Sequence, residues 1–249
     1  MAEYEIIPLV LGTLAVDKSF MMYFTDCGTE IVLPVVSFYI KGGEKNILVD
    51  TGAPAKGTEK YCPIEPIREI QSFEEALGKQ GLKPEDIDIV IQTHLHYDHV
   101  GNATKCTKAK VIVQEDELRF ALAPHPLFAG TYAIEMLQGL KFQPVKGDAE
   151  IVDGIKVLLT PGHTPGAQSV AIETAKGIAM ITGFCCIRET FEVPPETLKL
   201  APSWLVYTPG IHTDALAAFD NTLKVKGLAD ILVPNHALEL TEVKTIPQV

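Results

Sequence analysis

The chain has no serine-, glycine- or proline-rich linker, no low-complexity tract and no internal repeat to divide its 249 residues. Length alone is a soft guide, and one domain spanning residues 1–249 is expected. Its start, Met-Ala-Glu-Tyr-Glu-Ile-Ile-Pro, lacks the basic segment and apolar core of a signal peptide, and no apolar run approaches a membrane span. A cytoplasmic location is expected. Positive charge is also short: 21 Lys+Arg stand against 32 Asp+Glu, a net charge of −11. Such a balance repels phosphate backbones and anionic lipid, so the expected partner is a small molecule, with no nucleic acid and no membrane. The cysteines, Cys27, Cys62, Cys106, Cys185 and Cys186, are odd in number, contain no CxxC pair and have no disulfide-scaffold spacing. Four read as small buried apolar residues, while Cys185 carries a further expectation described below.

Histidine is scarce as well, with seven in the whole chain, yet three fall in the hexapeptide His94-Leu95-His96-Tyr97-Asp98-His99. Imidazole and carboxylate suit zinc, iron or manganese, and three protein ligands with an open position are what a hydrolytic metal site needs. The alternative is an exposed polar loop rich in histidine by chance. Four potential ligands in six positions argue against it.

Short Val/Ile-rich runs predict strands at residues 6–11, 35–40, 47–49, 87–91, 110–113, 155–159, 169–172, 178–181 and 231–233. Asp153-Gly154 is a hairpin signal. Ser72-Phe73-Glu74-Glu75 has capping-box spacing and opens a helix closed by Gly81. Further helices are predicted from about Asp116 to Leu122 and from after Thr213 to Gly227, where Leu216, Phe219 and Leu223 recur at helical intervals. Strands that do not alternate strictly with helices suggest an α/β (α+β) architecture of packed sheets covered by helices. The candidate ligands follow strand ends: the hexapeptide after 87–91, His163 after 155–159, and His236 after 231–233. Loops at one edge of a rigid scaffold can converge on a site.

These residues resemble the metallo-β-lactamase superfamily, whose mark is His-x-His-x-Asp-His followed by two isolated histidines. Leu48-Val49-Asp50-Thr51-Gly52, Thr93 to Asn102, Thr160-Pro161-Gly162-His163-Thr164-Pro165-Gly166 and Pro234-Asn235-His236 follow the family's blocks in order and approximate spacing. The run through His163 to Thr174 is most similar to the N-acyl homoserine lactonases. The resemblance implies an αββα metallo-β-lactamase-like sandwich holding one or two zinc ions, with iron or manganese as alternatives. His94, His96 and His163 would bind the first ion, and Asp98, His99 and His236 the second. Asp50 would orient a ligand histidine by accepting its other ring N–H, although Asp-Thr-Gly also suits a strand-end turn. His125 and His212 read as structural.

One departure matters. Where the lactonases carry a bridging aspartate, this chain reads Thr182-Gly183-Phe184-Cys185-Cys186-Ile187-Arg188, with no carboxylate before Glu189. The stretch is similar to the Gly-x-Cys segment of the true metallo-β-lactamases, which implies Cys185 as a ligand of the second ion. The tyrosine that assists the lactonases is also not evident.

The implied function is a metal-dependent hydrolase that opens a small cyclic ester, a lactone, or a cyclic amide. Bound metal makes hydroxide available near neutral pH and polarises the carbonyl, with Asp98 as ligand and catalytic proton carrier. Two alternatives stay open: an iron-dependent oxidoreductase of the persulfide dioxygenase type, and a non-catalytic metal- or ligand-binding protein. Loops containing Tyr23-Phe24, Pro124 to Gly130 and Trp204 to Tyr207 are candidates to line a pocket.

Overall fold

The computed structural model describes residues 3–62 and 64–248, so the ends of the expected 1–249 domain lie outside the described residues. The first sheet holds β1 (Glu5–Asp17), β2 (Glu30–Lys41), β3 (Ile47–Val49), β4 (Arg68–Glu69), β5 (Ile89–Ile91), β6 (Lys110–Gln114) and β7 (Lys141–Val145). Their spatial order is β4-β1-β2-β3-β5-β6-β7. The second holds β8 (Ala149–Val152), β9 (Ile155–Leu159), β10 (Gln168–Thr174), β11 (Gly177–Ile181) and β12 (Ile231–Val233), ordered β12-β11-β10-β9-β8. Helices are α1 (Phe73–Gly78), α2 (Tyr97–Val100), α3 (Glu115–Leu122), α4 (Ile134–Leu137), α5 (Pro195–Leu200) and α6 (Ala215–Leu228). None is long and apolar enough to cross a membrane.

Alternation along each strand explains the layering. Ile47 and Val49 of β3 face the core between the sheets, whereas Leu48 joins Phe73, Ala76 and Leu77 of α1 on the outer face. In β11, Ala179 and Ile181 point inward, and Met180 shares an outer cluster with Phe219 and Val225 of α6. Successive side chains on a strand point to opposite faces, so strands covered on both sides read as unbroken apolar runs. Each fully buried side chain of this kind contributes about 1.5–3 kcal/mol. The result is helix, sheet, sheet, helix: the αββα sandwich expected from the resemblance.

Local signals place the helices. Ser72 caps α1 by accepting from the Glu75 N–H while the Glu75 carboxylate accepts from the Ser72 N–H, a complete capping box. That helix ends at Gly78, three residues before the Gly81 named from sequence. Asp214 caps α6 by accepting from the N–H groups of Leu216 and Ala217, and the helix runs one residue beyond Gly227. Asp153-Gly154 turns the chain between β8 and β9, with Gly154 at φ +78°.

Strand direction decides where the loops emerge. β3, β5 and β6 are parallel to one another, and β9, β11 and β12 share a direction because β10 is antiparallel to β9 and β11 while β12 is parallel to β11. The segments carrying Asp50, the hexapeptide, His163, Cys185 and His236 therefore all leave the C-terminal ends of strands. Gln168, at the start of β10, ties the sheets together beneath them: its side-chain amide donates to Gln92 O at 2.8 Å and its backbone N–H to Thr93 O at 2.9 Å.

Candidate metal centre

β5 delivers the hexapeptide in a bent form. His96 is extended (φ −66°, ψ 153°) and caps α2, and that single turn carries Asp98 and His99. Leu95 is fully buried in a cluster with Val100, Ala103 and Val113, which turns its flanking histidines the other way. His163 sits after Gly162, whose φ is +131° and which packs so closely on α6 that a Cβ there would meet Ala218 N at 2.2 Å. Only glycine fits that approach. His236 follows β12 and Asn235.

The side chains converge in two groups, His94 with His96 and His163, and Asp98 with His99 and His236; within each, one ligand atom per residue lies within 4.8 Å of the others. His94 Nε2 and His163 Nε2 are 3.3 Å apart. Asp98 Oδ2 lies 3.4 Å from His99 Nε2 and 3.8 Å from His236 Nε2. The groups adjoin, with the His94 and His99 rings 4.1 Å apart. All five histidines are buried.

The outer nitrogens are anchored. His163 Nδ1 meets Ile211 O at 2.7 Å, His236 Nδ1 meets Pro34 O at 3.3 Å, and His99 Nδ1 meets Asp50 Oδ2 at 2.7 Å. Each of those acceptors requires the proton on Nδ1 and leaves Nε2 as a lone pair aimed inward, the arrangement seen around metal-ligating histidines. Asp50 also accepts from the Thr93 N–H at 2.7 Å and the Thr93 hydroxyl at 2.8 Å. It holds φ +54° at the end of β3, so it is at once the turn residue and the histidine's partner.

Electrostatics agree with a cation site. Burial, reinforced by the neighbouring imidazoles, pushes His94 and His96 well below the usual histidine range. Burial also lowers His163, to about 4, against the opposing Ile211 carbonyl, and lowers His236. His99 differs: burial opposes its charge, but Asp98 and Asp50 outweigh that and raise it to about 9. Two Nε2 atoms face each other at 3.3 Å, and His96 Nε2 is buried with no hydrogen-bond partner among the described residues. Four imidazoles held neutral by burial, with a fifth between two carboxylates, are the donor set a divalent cation takes, so the residues fit the group.

The structure does not bring Cys185 into either group. Its thiol donates to Phe20 O at 3.2 Å and lies 3.4 Å from His163 Nδ1, the nitrogen already engaged with Ile211 O. Burial pushes this thiol up. Cys186 points the other way, into the outer cluster with Phe184, and lies 3.0 Å from the Thr182 hydroxyl. Phe184, in the stretch that lacks the bridging aspartate, is thus part of the core under α6.

Both groups open on a cavity of about 100 Å³ walled by Leu14, Val16, Phe20, Met21, Leu33 and Tyr97, with no Lys or Arg among its described lining residues. Tyr23 and the 204–207 loop instead line a separate cavity of about 340 Å³. His125 Nδ1 accepts from the Leu127 N–H, His212 Nδ1 meets Pro209 O, and neither belongs to a ligand group. Sequence reasoning missed the apolar walls from β1 and β2, whose inward residues look like ordinary core. It also missed Glu117, a fully buried carboxylate at the start of α3.

A helix–sheet–sheet–helix sandwich with two histidine-rich ligand groups at one edge defines a class, the metal-dependent hydrolases of the metallo-β-lactamase type. The family model "Metallo-beta-lactamase superfamily" matches residues 31–229, and the chain belongs to that superfamily. Within it, the chain is similar to N-acyl homoserine lactonases. That of Bacillus cereus is 33% identical over 183 residues, 69% of this chain and 71% of its own. One from Bacillus sp is 34% identical over 176 residues, 66% and 68% of the two chains. A solved N-acyl homoserine lactone hydrolase, with the product N-hexanoyl-L-homoserine bound at its catalytic metal center, matches at TM-score 0.78 and 28% identity, covering 100% of this chain and 99% of that one.

Proposed function

We propose that this protein is a zinc-dependent lactonase that opens a small uncharged cyclic ester, with cyclic amides as related substrates. The observation that carries the reading is the pair of three-residue ligand groups, buried but for the half-buried Asp98, facing one apolar cavity. Similarity to lactonases, one of them solved with a ring-opened product at its metal center, supports it. His94, His96 and His163 would hold one ion, and Asp98, His99 and His236 the other. Zinc bound there would supply Lewis acidity and lower the pKa of water toward neutrality.

The chain's own residues supply orientation and proton transfer. Asp50, Ile211 O and Pro34 O hold three imidazoles with their protons turned outward. Asp98 faces the cavity and carries a proton from water to the ring oxygen as the acyl C–O bond breaks, work for which a carboxylate within reach is suited. The apolar wall strips water from the substrate and offers no cationic side chain, so a neutral ester is accommodated at lower cost than a carboxylate-bearing β-lactam.

The test is purification without added metal, metal analysis, and a screen of lactones, cyclic imides, thioesters and β-lactams by acid release, with oxygen consumption followed in parallel. Lactone opening is expected to vanish on chelation, return with zinc, and be absent in a folded His96→Ala variant. Full turnover after verified metal removal, or oxygen uptake by an iron-loaded protein in place of ring opening, overturns the reading.

A further inference from the structure

Glu117 has no part in the mechanism above, yet its carboxylate is fully buried. Four groups donate to it or face it as donors. Oε1 accepts from the Leu95 N–H at 2.9 Å and the Tyr132 hydroxyl at 3.0 Å, and Oε2 accepts from the Thr164 hydroxyl at 2.5 Å. Burial pushes the Glu117 carboxyl up, against these three donors and the Gly166 N–H, which favour its charged form. Gly166 packs against the start of α3 so tightly that a Cβ would meet Glu117 N at 2.1 Å. A carboxylate is acceptor-only when ionised, which matches this all-donor surrounding.

The partners' places in the chain give the arrangement its meaning. Leu95 lies between His94 and His96. Tyr132 sets its ring edge-on to His96, with centroids 4.8 Å apart. Thr164 follows His163. One carboxylate is therefore bonded to a neighbour of every residue in the first ligand group. It joins the loop after β5, in the first sheet, to the loop after β9, in the second.

We propose that Glu117 is a positioning residue that fixes the spacing of His94, His96 and His163, and so sets metal affinity at that group while leaving the Asp98, His99 and His236 group largely unaffected. The inference rests on the reading that the first group holds an ion. Glu117→Gln keeps the shape but turns one acceptor oxygen into a donor facing donors, which a buried site tolerates poorly. Outer partners of ligand histidines typically control about 10- to 100-fold in metal affinity.

The experiment separates the groups by cobalt titration in two backgrounds, His236→Ala, which disables the second group, and His163→Ala, which disables the first. Glu117→Gln is expected to weaken cobalt binding about 10- to 100-fold in the His236→Ala background and to leave it unchanged in the His163→Ala background. Thr164→Val should reproduce the loss and Thr164→Ser should restore binding, which keeps the test decisive if Glu117→Gln does not fold. Equal weakening in both backgrounds, or Thr164→Ser behaving like Thr164→Val, would reduce Glu117 to a structural residue. No cobalt at the first group even with Glu117 intact would instead remove the metal reading itself.

Discussion

Asp50→Asn is the sharpest test of how the second ligand group is organised. Asp50 accepts three hydrogen bonds, from the Thr93 N–H, the Thr93 hydroxyl and His99 Nδ1–H, whereas asparagine offers one oxygen and one NH₂. If the oxygen stays on the Thr93 N–H, the NH₂ faces His99 Nδ1, which must then accept. The proton moves to Nε2, the atom turned toward Asp98, and the imidazole can no longer donate its lone pair to an ion. If the amide is reversed, NH₂ faces N–H in a fully buried site, at a cost of about 1–3 kcal/mol. Either outcome predicts metal affinity lowered about 10- to 100-fold, or about 1.4–2.8 kcal/mol at 1.4 kcal/mol per factor of ten. Backbone strain does not confuse the result, since φ +54° at position 50 suits asparagine as well as aspartate. Asp50→Ala should add a stability loss of about 1–2 kcal/mol, because alanine is poorly accommodated there. The assay is zinc titration against a competing chelator, with thermal unfolding of the metal-free proteins alongside. Wild-type affinity at both groups in a folded Asp50→Asn protein would refute the tautomer argument.

Three further outcomes are expected. Asp98→Asn should retain ions at the first group yet turn over lactones at least tenfold more slowly, since an amide cannot take up the proton; wild-type rates in the zinc-loaded variant would remove Asp98 from catalysis. Cys185→Ser should keep the wild-type metal stoichiometry, because the thiol stands on the Nδ1 side of His163 outside both groups; loss of an ion together with a thiolate-to-cobalt band seen only in the parent protein would restore it as a ligand. Stability of the metal-free protein should peak near neutral pH. Below about pH 6.5 the unfolded chain protonates histidines that burial keeps neutral in the fold, with His163 at about 4, so stability falls as pH falls. Between about pH 6.5 and 9 the fold holds a proton on His99 that the unfolded chain has released, so stability falls as pH rises. A melting temperature that climbs steadily from pH 5 to 9 would contradict this account.

Legibility in the sequence followed burial. β3, β9 and β12 match their Val/Ile runs residue for residue: β3 and β12 have no polar position to blur the pattern, and β9 has one, the exposed Lys156. β7 was not visible: it lies at the edge of its sheet, is partly exposed and contains Pro144, a composition that reads as loop. β1 and β2 each extend well past their apolar cores, with a bulge between Val10 and Gly12 that breaks strict alternation. In the site, the six-residue ligand run and the isolated His163 and His236 were legible because histidine is scarce and its order distinctive. Glu117 was not, since Glu115-Asp116-Glu117 at a helix start looks like a solvated first turn. For Cys185 the side was legible, since it and not Cys186 stands beside His163, but its place on the Nδ1 side of that ring, outside both ligand groups, was not.

The first sheet is complete by Val145 and the second begins at Ala149, so the chain is written as two consecutive halves. Each ligand group takes two members from the first half and one from the second: His94 and His96 meet His163, Asp98 and His99 meet His236. Neither half alone can surround an ion, and each bound ion would act as a rivet through the seam where the halves meet. Metal affinity is then folding energy stored at that seam. In assembly, capture of an ion by three protein ligands would follow docking of the two sheets, which would make the ion a check that the halves have come together correctly. Chelation should accordingly loosen the edge that carries the ligands before it disturbs the apolar layer between the sheets, and hydrogen exchange is expected to rise first in the loops after β5, β9 and β12.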